Sequence, residues 1–221
     1  MIYPDPSKNI GTEFEVDKSI ISNFVIEKLP LTRTYPLDEL MLMTAVVCRF
    51  KPQLILEWGT NIGISAKIFY EIVEGFGLDS EIHSIDLPDD VVHSEHDPNV
   101  VGSFIKGIDK IHLHKGDGLT CSLEIIKNNN INRNILFFID GDHSYETVTH
   151  ELATILYNVK NAVVLLHDTL YQSADSGYCV EPFVAIKDTL DCYPETYKLV
   201  TMNIGGPGMS LVYNLHNLRL I

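Results

Sequence analysis

The sequence has no long hydrophobic run, and its longest near-apolar stretch extends only from Leu40 to Cys48. A membrane-spanning helix needs about 20 apolar residues in succession. The first thirty residues contain charges and prolines and lack the apolar segment of a secretory signal. We therefore expect a cytoplasmic protein without a membrane partner.

Cysteine and positive charge are also scarce. The four cysteines are widely spaced and form no C-x-x-C pair, which argues against both a zinc site and a disulfide framework. Lys and Arg number 16 against 30 Asp and Glu, so the formal net charge is −14. Because no basic cluster concentrates positive potential, we expect no nucleic-acid partner.

The length of 221 residues, with 45% hydrophobic residues, suits one globular domain with a full core. Residues 1–33 carry little pattern and are interpreted as an N-terminal extension, followed by a single domain at residues 34–221. A homo-oligomer stays an open alternative, since residues 1–33 give no readable interface.

From residue 37 onward, helical and strand patterns alternate along the chain. Helical stripes are predicted after Pro36 and at residues 64–73, 100–108, 123–127 and 148–159, with a further helix between residues 169 and 193. The predicted strands are Leu54–Glu57, Glu81–Asp86, Lys110–Lys115, Asn134–Asp140, Ala162–Leu166, Tyr197–Ile204 and Met209–Tyr213. The last connection, around Gly205–Gly208, is too short for a crossover helix, so the final pair must be antiparallel. The pattern predicts an α/β fold with a doubly wound, mostly parallel seven-stranded sheet.

The most informative motif is the segment from Leu54 to Ser65, which reads LILEWGTNIGIS. An apolar strand ends in Glu57, Gly59 and Gly63 follow four residues apart, and a helix then begins. This strand–turn–helix presents backbone N–H groups to a small ligand at the carboxyl edge of a sheet. Its spacing is neither the dinucleotide G-x-G-x-x-G nor the phosphate loop, since no Lys follows Gly63.

Acidic residues end the following strands as well. Asp86 ends the second strand, 23 residues past Gly63, near the position where such sheets place the acid that binds ribose hydroxyls. Asp117 follows the third strand. The carboxyl ends of strands line the ligand crevice in an open α/β sheet, so Glu57, Asp86 and Asp117 are candidate ligand-binding residues.

A second set of polar residues follows the fourth and fifth strands. Asp140 and His143 come after one strand, and His167 and Asp168 come after the next. Neighbouring strands would bring these side chains to one edge, where the carboxylates repel each other unless a cation lies between them. Oxygen-rich sites of this kind suit Mg²⁺. The alternatives are that Asp142 caps the helix beginning near Ser144 and that His167 is a packed strand-end histidine.

Together, Glu57–Ser65, Asp86, Gly116–Gly118, Asp140–Tyr145 and His167–Thr169 resemble the motifs of class I S-adenosylmethionine (SAM)-dependent methyltransferases. The resemblance is to small metal-dependent O-methyltransferases, and within them to sugar and macrolide O-methyltransferases and their cephalosporin-hydroxylase-like relatives. It extends over roughly residues 36–215.

The resemblance implies a role for each candidate residue. Gly59 and Gly63–Ser65 would hold the methionine part of SAM beside Glu57, Asp86 the ribose, and Asp117 the adenine side. Asp140 would lie beside the cofactor and, with Asp168, bind a divalent cation such as Mg²⁺, with His167 or Thr169 as the third contact. His143 would be the catalytic base. His167 departs from the pattern, since many metal-dependent relatives carry a carboxylate or a neutral residue there.

The implied reaction transfers a methyl group to a hydroxyl of a small molecule, such as a sugar, a polyketide or a catechol-like phenol. Two other functions stay open from the sequence. An NAD(P)-dependent oxidoreductase would share the doubly wound sheet. A non-catalytic SAM-binding protein would keep the glycine turn without turnover.

Overall fold

A computed structural model describes residues 36–91, 97–170, 179–204 and 206–217. Its helices and strands, in chain order, are α1 (Leu37–Phe50), β1 (Leu54–Trp58), α2 (Ile64–Gly75), β2 (Glu81–Asp86), β3 (Ile111–Lys115), α3 (Gly118–Asn128), β4 (Ile135–Ile139), α4 (Tyr145–Asn158), β5 (Ala162–His167), α5 (Glu181–Asp191), β6 (Tyr197–Met202) and β7 (Met209–Asn214). The predicted extension at residues 1–33 lies outside the described residues, so the domain boundary stays a prediction.

The seven strands form one sheet in the order β3-β2-β1-β4-β5-β7-β6. Strands β1 to β5 are parallel, whereas β7 pairs antiparallel with both β5 and β6. The predicted doubly wound sheet with an antiparallel C-terminal pair is confirmed. Strand order reverses between β1 and β4, and the carboxyl ends of the parallel strands share one edge, where ligands bind in such sheets.

The central strands are buried on both faces because their apolar runs are continuous. In β4, Phe137 packs edge-on against Trp58 with ring centroids 6.2 Å apart. The next residue, Phe138, points to the opposite face and packs against Phe69 of α2, with ring centroids 5.2 Å apart. Helices therefore cover both faces of the sheet and leave its carboxyl edge as the accessible side.

The helix predicted at residues 100–108 is wrong, since the structure has successive turns there. Gly102 and Gly107 adopt positive φ angles of 68° and 84°, which interrupt a right-handed helix. The N–H groups of Gly102 and Phe104 instead donate to the carbonyls of Asn61 and Ile62, at 2.8 and 3.0 Å. These turns consequently pack against the glycine turn that follows β1.

Two further observations concern the absences in the sequence. Within the described ranges, no helix has the length and apolarity that crossing a membrane would require. The four cysteines are free thiols.

Candidate active site at the carboxyl edge of the sheet

The glycine turn between β1 and α2 is built by two positive-φ glycines. Gly59 has φ 89°, and a Cβ added there would lie 2.2 Å from the carbonyl oxygen of Asp140. Gly63 has φ 92°, and a Cβ added there would lie 3.0 Å from the Ile105 side chain. Only glycine allows this backbone conformation together with such a close approach. The turn therefore lies directly against the end of β4.

Gly63 is the N-cap of α2, and no side chain of the described residues caps this helix. Uncapped N–H groups and the helix dipole favour a carboxylate or another anionic group at this end. Ser65, in the first turn, is buried. The turn suits the carboxylate end of an amino-acid ligand.

Asp86 at the end of β2 is tied to the same turn. Its carboxylate accepts the N–H of Asn61 at 2.8 Å through Oδ2 and the N–H of Leu87 at 2.7 Å through Oδ1. Behind it, the Thr60 and Ser84 hydroxyls are 2.7 Å apart. The side chain of Asp86 thus fixes the turn at the carboxyl end of β2.

Glu57 is completely buried beneath the turn. The Ser84 hydroxyl donates to its Oε2. Burial raises the pKa of Glu57 to about 7, against the hydrogen bonds from Ser65 and Ser84 that favour the charged form. Glu57 therefore supports the glycine turn from below.

Asp117 and Trp58 have roles within the fold. Asp117 is the N-cap of α3 and accepts the N–H of Thr120 at 2.7 Å. Trp58 is buried, donates from Nε1 to the Ser122 hydroxyl at 2.8 Å, and fills the space above Gly118, where a Cβ would lie 2.6 Å from its ring. Trp58 is thus a core residue that packs α3 onto the sheet.

Asp140, His143, His167 and Asp168 converge at the ends of β4 and β5, and we call them the rim cluster. Nδ1 of His167 lies 3.1 Å from Oδ1 of both Asp140 and Asp168. Asp168 holds this position with a left-handed φ of 52°, which is uncommon outside glycine but tolerated by Asp. The convergence expected from the sequence occurs because β4 and β5 are neighbours.

Glu39 completes the surroundings of His167, and it was not predicted from the sequence. This residue of α1 is 0% exposed, and its Oε2 accepts from His167 Nε2 at 2.9 Å. Without a bound cation, burial alone would lower the pKa of His167, but the Asp140 charge and hydrogen bonds to Asp140, Asp168 and Glu39 raise it to about 12. A signal was present, because Glu39 lies in helical register with the buried apolar residues Met43, Val46 and Phe50.

His143 faces the two rim carboxylates without touching them. Its Nε2 is 3.9 Å from Asp140 Oδ1 and 4.0 Å from Asp168 Oδ2. This atom is buried and has no hydrogen-bond partner among the described residues. The arrangement leaves a small polar gap bounded by one imidazole nitrogen and two carboxylate oxygens.

Asp142 and Thr169 belong to the surrounding structure. Asp142 accepts the Ser144 N–H at 2.8 Å and the Thr147 hydroxyl at 3.1 Å, and Ser144 itself is the N-cap of α4. The Thr169 hydroxyl is buried 2.9 Å from that of Ser210 in β7. Of the two residues considered as the third metal contact, His167 is the one that adjoins both carboxylates.

The donor set of the rim cluster suits a divalent cation. One ligand atom from each of Asp140, His167 and Asp168 lies within 4.8 Å of the others. Two carboxylates and an imidazole are ligands for Mg²⁺, Mn²⁺ or Zn²⁺-like ions. The Nε2–H of His167 donates to Glu39, which is the carboxylate–histidine arrangement that orients metal-binding imidazoles.

The fold and this site define a class I SAM-dependent O-methyltransferase, with the glycine turn after β1 and polar strand ends beside it. A model of the rhamnosyl O-methyltransferase/CmcI family matches residues 16–199, and the chain belongs to this family. An NAD(P)-dependent oxidoreductase would share the doubly wound sheet, but it would not belong to this methyltransferase family. No curated protein matches the sequence.

Solved structures share the fold at low sequence identity. The O-methyltransferase TomG from Streptomyces achromogenes, in complex with SAM, is 13% identical with a TM-score of 0.56, covering 90% of this chain and 91% of its own. The S-adenosylhomocysteine-bound methyltransferase PaMTH1 from Podospora anserina is 14% identical with a TM-score of 0.54, covering 90% and 88%. An O-methyltransferase from Bacillus cereus with S-adenosylhomocysteine is 15% identical with a TM-score of 0.53, covering 89% of each chain.

Proposed function

We propose that this protein methylates a hydroxyl group of a small molecule, such as a sugar, a polyketide or a catechol-like phenol, with the help of a divalent cation. The observation that carries the proposal is the position of His143 Nε2, 3.9 and 4.0 Å from the Asp140 and Asp168 carboxylates. The glycine turn adjoins the same strand end, since Gly59 packs against Asp140. An acceptor oxygen and a methyl donor can meet there.

SAM supplies an electrophilic methyl group, so the protein's task is to align donor and acceptor. In this proposal, Gly59, Gly63 and Ser65 bind the methionine part through backbone N–H groups at the start of α2. Asp86 accepts the ribose hydroxyls, and Asp117 lies on the adenine side. Glu57 keeps the turn in place, and Asp140 lies between the cofactor and the rim cluster.

Asp140, His167 and Asp168 would hold the cation, and Glu39 would orient His167. A bound divalent ion lowers the pKa of a hydroxyl that it contacts and fixes its orientation. Even without a cation, these residues place charged groups at this edge of the sheet, because the carboxylates of Asp140, Asp168 and Glu39 surround the His167 ring.

His143 would act as the general base. Its Nε2 has no hydrogen-bond partner in the described part of the chain, so a neutral ring can accept the proton of the acceptor hydroxyl. General-base catalysis typically contributes about 10²–10⁴-fold to a rate. We expect His143→Ala to lose activity on that scale while it keeps SAM affinity.

The test measures transfer of isotope-labelled methyl from SAM to a panel of sugar, polyketide and catechol acceptors, with Mg²⁺ or with a chelator. The wild-type protein, His143→Ala, Asp168→Asn and the control His150→Asn are compared, because His150 is an exposed residue of α4. Near-normal turnover in His143→Ala would refute the base assignment. Full activity with chelator would refute metal assistance, and SAM binding without methylation of any acceptor would favour the non-catalytic alternative.

A further inference from the structure

A second group of metal-binding side chains lies on strands β2 and β3, apart from the rim cluster. Glu81 and His83 lie two residues apart on β2 and therefore share one face of the strand. On β3, His112 pairs in register with His83. The His83 ring lies 4.8 Å from that of His112 and 5.2 Å from that of His114, between centroids. We call Glu81, His83, His112 and His114 the histidine edge, since β3 is one of the two outer strands of the sheet.

His83 is the buried member, with 8% of its surface exposed. Its Nδ1 is 3.0 Å from Nε2 of His114. Its Nε2 has no hydrogen-bond partner among the described residues, and Glu81 Oε2 lies 3.6 Å away as an ion-pair neighbour. A buried polar atom without a hydrogen bond costs free energy, so this nitrogen requires an explanation.

The hydrogen bond to His114 is compatible with the form of His83 that binds metals. When Nδ1–H donates to His114, a neutral His83 has its lone pair on Nε2, the atom that faces Glu81. Metal-binding histidines usually donate their second N–H in this way.

We propose that Glu81, His83 and His112 form a binding site for a Zn²⁺-like transition-metal ion, with His114 as the residue that positions His83. One ligand atom from each of the three lies within 4.8 Å of the other two. With metal–ligand bonds of about 2.0–2.2 Å, tetrahedral ligands are about 3.3–3.6 Å apart, close to the separation of Glu81 and His83. Glu81 and His112 are exposed, so an ion can enter from solvent and keep an open position.

This site differs from the rim cluster in chemistry and location. Two imidazoles and one carboxylate favour zinc-like ions over Mg²⁺, which prefers oxygen ligands. His83 precedes Asp86 by three residues, about 10 Å along the strand, and β1 lies between β2 and the rim strands. A bound ion would join the outer strand to β2 and stabilise the native state in proportion to its free concentration.

The test uses the full chain, freed of any affinity tag and of metal, in the Asp168→Asn background, which removes one of the two carboxylates of the rim cluster. Zn²⁺ binding is measured by calorimetry, and Co²⁺ binding by its visible absorption. We expect Asp168→Asn to bind Zn²⁺ and to melt at a higher temperature with the ion. Adding His112→Asn or Glu81→Gln should weaken binding by about tenfold or more.

Both substituted residues are exposed, so neither change disturbs the core. Adding the control His150→Asn, on α4, should leave binding unchanged. The assignment is wrong if the His112→Asn and Glu81→Gln variants bind Zn²⁺ as tightly as their parent, or if the parent binds none. Such a failure would leave the proposed methyl transfer untouched, because the histidine edge and the rim cluster share no residue.

Discussion

At the scale of single residues, Gly59 connects the glycine turn to the rim cluster. An alanine there would combine a positive φ of 89° with a Cβ 2.2 Å from the Asp140 carbonyl. We expect Gly59→Ala to lower the free energy of unfolding by about 2–4 kcal/mol and to weaken SAM binding, because Asp140 must move. Urea denaturation and SAM calorimetry measure the two effects.

Gly77→Ala is the matched control, since Gly77 also has a positive φ, of 60°, but no heavy atom within 4 Å of an added Cβ. Its cost should be limited to backbone strain, about 1–2 kcal/mol, with SAM affinity unchanged. Equal effects of the two substitutions would contradict the steric explanation.

Glu39 provides the second prediction at this scale. Glu39→Gln retains the shape of the side chain but removes the charge that His167 Nε2 faces at 2.9 Å. We expect Mn²⁺ or Mg²⁺ to bind the rim cluster about 10–100-fold more weakly, as for other residues that orient a metal-binding histidine. Calorimetry at constant pH measures the affinity.

Glu74→Gln is the comparison for this effect, since it removes an exposed carboxylate that pairs with Lys110. Identical metal affinity in Glu39→Gln and the wild type would show that Glu39 does not orient a ligand.

At the scale of elements, α3 tests whether Asp117 serves the fold, the cofactor or both. Its carboxylate caps the helix through the Thr120 N–H. Asp117→Ala should cost about 1 kcal/mol of stability, whereas Asp117→Asn, which still caps, should cost less. Chemical denaturation separates the two variants. If Asp117 also faces adenine, Asp117→Asn will weaken SAM binding, and unchanged affinity would restrict the residue to its capping role.

The elements also show what the sequence could predict. The parallel strands were predictable because most of them are short apolar runs that end in an acidic residue. The pairing of β4 with β5 then brings Asp140 and Asp168 together. The helix prediction at residues 100–108 was wrong because it relied on an apolar helical stripe and gave too little weight to Gly102 and Gly107. The positive φ angles of these glycines depend on contacts with the glycine turn. The start of α3 was predicted too late, since its first turn is short of apolar residues.

Contacts between residues that are far apart along the chain could not be predicted from the sequence. Glu39 meets His167 across 128 positions, and no local pattern specifies how α1 lies on the sheet. The histidine edge required the register of β2 against β3, which pairs His83 with His112. Candidate site residues at the end of a single strand could therefore be predicted from the sequence. Contacts between side chains of different elements could not, because they depend on strand register and helix packing.

At the scale of the whole molecule, the buried Glu57 makes stability depend on pH. Its folded pKa of about 7 lies above the ordinary value of 4.5. Between these values Glu57 binds more protons in the folded state than in the unfolded state, so its contribution to stability is greatest below pH 4.5 and is lost as pH rises towards and through 7. The shift corresponds to a loss on the order of 3 kcal/mol.

Glu57→Gln isolates this contribution, because a glutamine resembles the protonated acid at every pH. Other groups oppose it: His83, with a pKa lowered to about 4, makes stability fall as pH decreases from 6.5. The difference between variant and wild type cancels these shared groups, so urea denaturation without SAM should show the variant gaining relative stability from pH 4.5 to pH 8. A constant difference across that range would mean that Glu57 is already ionised in the folded protein, and the glycine turn would then rest on a buried charge.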